Sequence, residues 1–152
     1  MTIQYKKGNI LGSKLHAIVI PVNTMGIAGA GLARQWAIKY PVEQSIYSTI
    51  GKEKRLKVGE ILPVISSVDG HTFLCFPTKI LPQKRSELVW IEDGLSALKR
   101  LVPLLRIQSV AVPALGCGLG GLSWRQVKPL IGKFLGELNI VVHVYPPRKL
   151  SE

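Results

Sequence analysis

The sequence of 152 residues predicts an α/β domain of three layers, in which helices cover both faces of a mixed, mostly parallel sheet. Two short and largely apolar runs, Ala17–Ile20 and Ser109–Val112, are typical of strands that are buried on both faces. Segments with helical periodicity alternate with such runs along the chain, which is the order that crossover helices require. A glycine-rich segment follows each of the two runs, at the strand end where ligands bind in such folds.

The first half of the chain opens with a predicted strand at Ile3–Lys7, followed by the buried run at Ala17–Ile20. A short helix is expected over Gly31–Tyr40, because the proline that follows disfavours helical backbone at the residue before it. A second short helix is predicted over Pro41–Ile50, since proline is well suited to the first turn of a helix. The two helices therefore cover one connection between strands.

The middle of the chain predicts a hairpin and then a long helix. The strands Gly59–Val64 and Thr72–Phe76 are separated by a turn at Asp69-Gly70, which is a favoured hairpin sequence. The helix is expected over Glu87–Leu105, because apolar residues recur there at three- and four-residue spacing. Ser86 is its expected N-cap, since a serine side chain can accept a bond from a free backbone N–H.

The last third of the chain predicts the strand Ser109–Val112, a helix and a final strand. The helix begins at the segment Ser123–Gln126, which has the spacing of a capping box. The final strand is Ile140–Tyr145, and the two prolines that follow end it. With no linker and no repeat, we expect one domain over residues 1–152. It is either the whole protein or a piece of a longer chain.

The composition indicates a soluble, cytoplasmic protein with a polyanionic partner. Hydrophobic residues make up 47% of the chain, and no apolar run reaches the ~18 residues that span a membrane. The 20 Lys and Arg against 9 Asp and Glu give a net charge of +11, and no carboxylate precedes Glu43. Such a charge favours DNA or RNA as a partner, whereas the alternative is a solvated basic surface that aids solubility.

Two glycine-rich segments are the main candidates for a binding site: the first glycine loop, Val22–Ala33, and the second glycine loop, Pro113–Trp124. A glycine turn that leads into a helix points free N–H groups and the positive end of the helix dipole at an anion. Two such turns in a small domain favour a ligand with two or more phosphates. Taken singly, either loop could equally be a tight turn between a strand and a helix.

Several common sites are excluded or disfavoured. Neither loop ends in the Gly-Lys-Ser/Thr of a Walker nucleotidase, the first loop lacks the Rossmann order of glycines, and no Asp lies about 20 residues after it. Asp69 and Asp93 are the only aspartates, and neither forms the carboxylate pair of a glycosidase near the loops. Cys75 and Cys117 form no zinc motif, and the three histidines are widely spaced. We therefore predict no metal site.

Lys79 is the candidate reactive residue, because it follows the apolar segment Leu74–Pro77 and should emerge at a strand end beside a pocket. A lysine there could hold a phosphate or act as a nucleophile on a masked aldehyde sugar. The second role requires a neutral amine, which desolvation and nearby positive charge favour. An ordinary surface lysine is the alternative.

Taken together, these residues resemble a macrodomain, the module that binds ADP-ribose, and the resemblance covers essentially the whole chain. Lys7–Leu11 resembles the segment that contacts adenine. The first glycine loop resembles the loop around the distal ribose, and Gly116–Gly121 resembles the diphosphate loop. This likeness implies a macrodomain fold, ADP-ribose as ligand, and no cofactor or metal.

The closer likeness is to the branch of DarG antitoxins and the human terminal ADP-ribose glycohydrolase. The segment Phe76–Lys79 and the run Leu115–Trp124 resemble DarG in particular. The resemblance implies a glycohydrolase that removes ADP-ribose from thymidine in single-stranded DNA, opposes a DarT-like toxin, and uses Lys79 as its catalytic residue. Lys79 would form a transient imine with the opened sugar or polarise the bond and a neighbouring water. DarG proteins often carry a further C-terminal domain.

Two positions depart from related patterns. Asn9 stands where many macrodomains have Asp, and Gly120 stands where the human enzyme has an Asp. An amide oxygen can still accept a bond from an adenine amino group, and catalysis must proceed without the second acid. The resemblance implies substrate contacts from Asn9, Ile10, Asn23, Thr24, Gly26, Gly29, Gly31, Leu32, Thr78, Leu115, Gly116, Cys117, Gly118, Leu119, Gly120 and Tyr145.

Besides a nonspecific basic RNA-binding domain, which would have no affinity for ADP-ribose, two other functions stay open from the sequence. One is a related hydrolase for protein-linked ADP-ribose or for ADP-ribose 1″-phosphate. The other is a module that binds ADP-ribose without turnover, which would need the glycine loops but not Lys79.

Overall fold

The computed structural model describes residues 2–148, which form six strands and four α-helices. The strands are Thr2–Tyr5 (β1), Ala17–Asn23 (β2), Leu62–Ile65 (β3), Thr72–Lys79 (β4), Ser109–Pro113 (β5) and Val141–Tyr145 (β6). The helices are Gly31–Lys39 (α1), Pro41–Lys52 (α2), Leu88–Leu104 (α3) and Trp124–Leu135 (α4), with a 3-10 turn at Ile10–Gly12. None of the helices in residues 2–148 combines the length and the apolar character that a membrane span requires.

The sheet has the strand order β1-β6-β5-β2-β4-β3. All neighbouring strands are parallel except β3 and β4, which form the antiparallel hairpin at one edge. The predicted mixed, mostly parallel sheet is therefore confirmed. The carboxyl ends of β2, β4, β5 and β6 lie side by side at one edge of the sheet, which places the two glycine loops next to each other.

Each face of the sheet has its own hydrophobic core. Ala17 and Val19 of β2 pack with α3 and α4, whereas Ile18 and Ile20 of the same strand pack with α1 and α2. Neighbouring residues of a strand point to opposite faces, so both faces need apolar residues. This explains why the central strands are continuous apolar runs rather than alternating ones.

The hairpin differs from the predicted bounds. The strand expected over Gly59–Val64 begins only at Leu62, because residues 57–60 form a turn in which the Glu60 N–H donates to the Lys57 carbonyl at 3.2 Å. The next strand is longer than expected, since β4 continues past Phe76 to Lys79 through its pairing with β2. Lys79 is consequently the last residue of a central strand.

The prediction that Ser86 caps α3 is wrong. Glu87 occupies the N-cap position and makes no side-chain cap bond. The Ser86 backbone N–H instead donates to the Gly120 carbonyl at 2.9 Å, so the chain before α3 is attached to the second glycine loop. The cap predicted for the last helix is confirmed, because the Ser123 hydroxyl accepts a bond from the Arg125 N–H at 3.2 Å.

Candidate active site

A cleft of about 630 Å³ crosses the carboxyl ends of β4, β2, β5 and β6. Its floor includes Pro21–Asn23 of β2 and Pro113 of β5, and its walls are the two glycine loops. Lys79 lies at the β4 end, and Arg148 lies at the β6 end. The volume is in the range of cavities that bind small ligands, roughly 300–1,000 Å³.

The first glycine loop is held by Asn23 and Tyr47. The Asn23 amide nitrogen donates to the Ile27 carbonyl at 2.7 Å, and its Oδ1 accepts from the N–H of Met25 at 3.0 Å and of Ile27 at 3.3 Å. The Tyr47 hydroxyl donates to the Asn23 carbonyl at 2.8 Å. Burial raises the pKa of Tyr47 above its usual range, so the hydroxyl keeps its proton. These bonds preorganise the loop.

The same loop rests directly on the end of α2. A Cβ at Gly26 would lie 2.5 Å from the Ser48 carbonyl oxygen, and one at Gly51 would lie 2.4 Å from the Gly26 nitrogen. Gly26 also has φ +80°, a conformation that favours glycine. The two backbones thus approach as closely as glycines allow, and the C-terminus of α2 lies behind the loop.

Lys79 is positioned by an irregularity in the pairing of β2 with β4. Val22 pairs with Pro77 and Asn23 pairs with Lys79, so Thr78 is the extra residue of a bulge. A bulge redirects the side chains around it, and here both Thr78 and Lys79 line the cleft. The Lys79 Nζ donates to the Pro82 carbonyl at 3.0 Å. The loop after β4 therefore holds the amine at the cleft.

Thr24 fixes the backbone around Lys79. Its N–H donates to the Lys79 carbonyl at 3.0 Å, and its hydroxyl donates to the Ile80 carbonyl at 2.8 Å. Thr24 was predicted to contact substrate, and its hydroxyl is engaged with the chain at the end of β4.

The second glycine loop has little spare room at Gly120. A Cβ there would lie 2.4 Å from the Ser86 Oγ and 2.6 Å from the Gly116 carbonyl oxygen. A Cβ at Gly118 would meet no atom within 4 Å. The structure therefore excludes a carboxylate side chain at Gly120 without a shift of the loop, and it leaves Gly118 open to the cleft.

The electrostatics of the cleft favour an anion. Among the described residues that line it there is no Asp or Glu, whereas Lys79 and Arg148 contribute positive charge. The helix α1 begins at Gly31 on the cleft wall and has no acidic residue in its first turn. Its free N–H groups and dipole add to the positive potential. Burial raises the pKa of the Cys117 thiol to about 11, so it stays neutral.

The cleft brings together eleven of the seventeen predicted site residues. They are Asn23, Gly29, Gly31, Leu32, Thr78, Lys79, Gly116, Cys117, Gly118, Leu119 and Gly120. The remaining six lie outside its lining, and they are Asn9, Ile10, Thr24, Gly26, Leu115 and Tyr145.

The local structure explains several of these exceptions. The Asn9 Oδ1 accepts from the Leu11 N–H at 3.0 Å and so caps the 3-10 turn, while Ile10 is buried. Leu115 is fully buried in the core on the α3 side. Tyr145 packs on the opposite core. Contacts of these residues with an adenine or a diphosphate stay predictions.

Sequence reasoning did not identify Tyr47, Arg85 and Arg148 as site residues. Arg85 donates to the Gly121 carbonyl at 3.0 Å and joins the loop after β4 to the second glycine loop. Tyr47 carried a possible signal, because a buried tyrosine hydroxyl requires a partner. The sequence around Arg85 gave no such signal, because nothing local places an arginine beside a loop 36 residues away.

The comparisons with known proteins bear on this cleft. Residues 19–131 match the family described as the Macro domain, which is more than half of the chain. This chain belongs to the Macro domain family. The macrodomain resembles a DNA ADP-ribosyl transferase–DNA ADP-ribosyl glycohydrolase fusion protein of Thermosipho africanus, with 34% identity over 93% of this chain and 41% of that protein.

A DNA ADP-ribosyl glycohydrolase of Mycobacterium tuberculosis is 35% identical over 95% of this macrodomain and 42% of its own length. The chain thus spans about two fifths of the curated relatives that it matches.

Solved structures agree with this assignment. The macrodomain of Mycobacterium tuberculosis DarG has a TM-score of 0.91 and 35% identity, over 96% of this chain and 98% of that one. Thermosipho africanus DarTG in complex with ADP-ribose has a TM-score of 0.87 and 32% identity, over 98% of this chain and 43% of that one. The predicted macrodomain fold and the resemblance to DarG are therefore confirmed.

Proposed function

We propose that this macrodomain is a hydrolase that removes ADP-ribose from thymidine in single-stranded DNA, and that it opposes a DNA ADP-ribosyltransferase toxin in the cytoplasm. The position of Lys79 is the observation that carries the proposal, because it places an amine at one end of a cleft suited to a diphosphate. The names of the relatives support removal of ADP-ribose from DNA. The net charge of +11 supports a nucleic-acid substrate.

The proposed pose places the diphosphate between the second glycine loop and the N-terminus of α1. Backbone N–H groups of Gly116 and of Gly118–Gly120 bind the phosphate oxygens there. The Cys117 N–H already donates to the Ala114 carbonyl at 3.1 Å. The Asn23 amide, which has one N–H in addition to the one donated to Ile27, contacts the distal ribose. The adenine lies at the β6 end, toward Asn9, Ile10 and Tyr145. This orientation directs the anomeric carbon of the distal ribose to Lys79.

Lys79 acts at that carbon, where the bond to thymidine breaks. The absence of carboxylates among the described cleft residues supports catalysis centred on the lysine rather than on an acid–base pair. In one route the Lys79 amine attacks the anomeric carbon, the bond to thymidine breaks and the base leaves with a proton, and the ring opens to an imine that water hydrolyses to ADP-ribose and the free amine. In the other route the lysine polarises the bond and a water molecule, which attacks the carbon as the base leaves with a proton. Borohydride separates these routes, because reduction would attach ADP-ribose to the protein only if an imine forms.

The first test is release of ADP-ribose from an oligonucleotide carrying ADP-ribosylated thymidine, with wild type and Lys79→Ala compared. We expect release by wild type alone, while both proteins bind free ADP-ribose. Release by both proteins would contradict the role of Lys79. Release only from modified protein or from ADP-ribose 1″-phosphate would identify a different substrate. Binding without release from any of the three would identify a module that only recognises ADP-ribose.

The opposition to a toxin has a separate test. Co-expression of wild type with a DNA ADP-ribosyltransferase should restore growth and lower the ADP-ribose content of the DNA, and Lys79→Ala should do neither. Equal rescue by both would mean that opposition does not depend on removal of the modification.

A further inference from the structure

A basic segment precedes β3 at the edge of the sheet where β4 ends at Lys79. We define the basic segment as residues 52–57, which follow α2 and contain Lys52, Lys54, Arg55 and Lys57 with one acid, Glu53. Because Gly51 packs against the backbone of Gly26, the start of this segment lies directly behind the first glycine loop.

The segment is anchored by one residue and exposes its charges. Leu56 is buried in the core on the α1 and α2 side, whereas Lys52, Lys54 and Lys57 are exposed. Arg55 pairs with Glu53 at 3.1 Å, so its charge is partly neutralised. The chain then crosses toward the other face, where a Cβ at Gly59 would lie 3.4 Å from the Cβ of Asp93 in α3.

A second basic group follows Lys79 in the chain. The loop between β4 and α3 contains Lys84 and Arg85, both exposed, and it has no acidic residue before Glu87. Pro82 of this loop lines the cleft and accepts the bond from the Lys79 amine. A polymer attached to the reacting sugar would therefore leave the cleft beside this cationic loop.

Lys54 can be substituted so that one of these charges is removed and the local backbone structure is kept. Its φ of +59° is left-handed, and its N–H donates to the Gly51 carbonyl at 3.0 Å. The Arg55 N–H donates to the Ile50 carbonyl at 3.1 Å, which completes a Schellman motif at the end of α2. Glycine is the favoured residue at such a position, so Lys54→Gly removes the charge without a loss of fold.

We propose that the basic segment, together with Lys84, binds the phosphates of the DNA strand that leaves the cleft beside Lys79. This inference rests on the proposed function, because it takes the strand to be attached to the distal ribose. Cations before β3 and after β4, at the same edge of the sheet, suit a flexible single strand, whose phosphates extend from the modified nucleotide in both directions. Contacts of this kind strengthen binding without reading the sequence.

The test measures binding of a single-stranded oligonucleotide with ADP-ribosylated thymidine in a Lys79→Ala background, where it is not consumed. We expect Lys54→Gly to weaken this binding about fivefold at roughly 0.1 M salt, and to lower the slope of log affinity against log salt by about 0.7. The affinity for free ADP-ribose should be unchanged, because Lys54 does not line the cleft.

Arg106→Gly is the matched control. Arg106 has φ +55° in the same motif at the end of α3, with its N–H donating to the Pro103 carbonyl at 3.1 Å. The end of α3 precedes the amino end of β5, so it lies at the edge of the sheet opposite the cleft. Both substitutions remove one charge from the same local structure, and only Lys54→Gly should weaken binding of the oligonucleotide.

The outcomes separate the two proposals. If wild type releases ADP-ribose from DNA but Lys54→Gly leaves affinity and salt slope unchanged, the proposed surface is wrong and the proposed function stands. An equal loss of oligonucleotide affinity in Lys54→Gly and Arg106→Gly would be an effect of net charge alone and would also contradict the proposed binding surface. If wild type releases nothing from DNA, the proposed function fails and the surface fails with it.

Discussion

Removal of the Tyr47 hydroxyl tests whether the first glycine loop depends on a residue of α2. Tyr47 is fully buried, and its hydroxyl donates to the Asn23 carbonyl at 2.8 Å while accepting from the Asn23 N–H at 3.3 Å. Tyr47→Phe keeps the ring and its packing but leaves these Asn23 groups without their partner. The loop should then be both less stable and less well positioned.

The expected loss follows from the cost of an unmade buried hydrogen bond, about 1–3 kcal/mol. For a domain of this size, each kcal/mol corresponds to a change of roughly 2–4 °C in Tm, so Tm should fall by roughly 2–12 °C. Thermal unfolding followed by circular dichroism measures this change. Calorimetric titration with ADP-ribose should show weaker binding, because Asn23 lies on the floor of the cleft.

Tyr5→Phe is the control, because Tyr5 is 49% exposed and its ring contact with Lys128 survives the substitution. Its Tm should remain that of wild type. If Tyr47→Phe also keeps the wild-type Tm and ADP-ribose affinity, the hydroxyl does not hold the loop and the reasoning is refuted.

Three further predictions concern packing, acid stability and thiol reactivity. Gly120→Ala should lower the free energy of unfolding by about 1–3 kcal/mol through overpacking and so lower Tm. Gly118→Ala should keep the wild-type Tm, and the reverse order would contradict the close contact at Gly120. Hydrogen bonds from the β3–β4 turn outweigh burial and lower the pKa of Glu43 below its usual 4.5. The Glu43 carboxylate therefore stabilises the folded state above pH 4.5, and this stabilisation is lost as pH falls through the pKa of Glu43 in the folded state. In urea unfolding at decreasing pH, the free energy of unfolding should fall less in Glu43→Gln than in wild type. An identical pH profile would exclude this role. Since burial raises the pKa of Cys117 to about 11, iodoacetamide should label it slowly at neutral pH and faster toward that value, and rapid labelling at neutral pH would contradict the burial.

Much of the fold was predictable because its signals are local. The apolar runs at β2 and β5 reflect burial on both faces, and the spacing of apolar residues in α3 reflects its one buried face. The position of Lys79 at a strand end beside a pocket also followed from the sequence, since parallel strands carry their ligands at their carboxyl ends. Each of these features depends on residues within a few positions of one another or on a general rule of topology.

The contacts that shape the site were not predictable in this way. Tyr47 and Asn23 are 24 residues apart, and Arg85 and Gly121 are 36 apart. The bulge at Thr78 depends on the register between two strands rather than on the sequence of either one. Ser86 was predicted to cap α3 because it lies just before that helix in the chain. Its backbone N–H instead donates to the Gly120 carbonyl in the second glycine loop, which is remote in the sequence.

The amino-acid sequence by itself determined the layers, the edge of the sheet that carries the site, the basic charge and the residue types available for chemistry. Periodicity, glycine content and charge are properties of short segments, so they can be read without coordinates. Only the tertiary structure decided how the loops are held, why a side chain at Gly120 would require the loop to shift, and which residues line the cleft together with Lys79. These features depend on distances between segments that are remote in the chain, and packing of the two cores sets those distances.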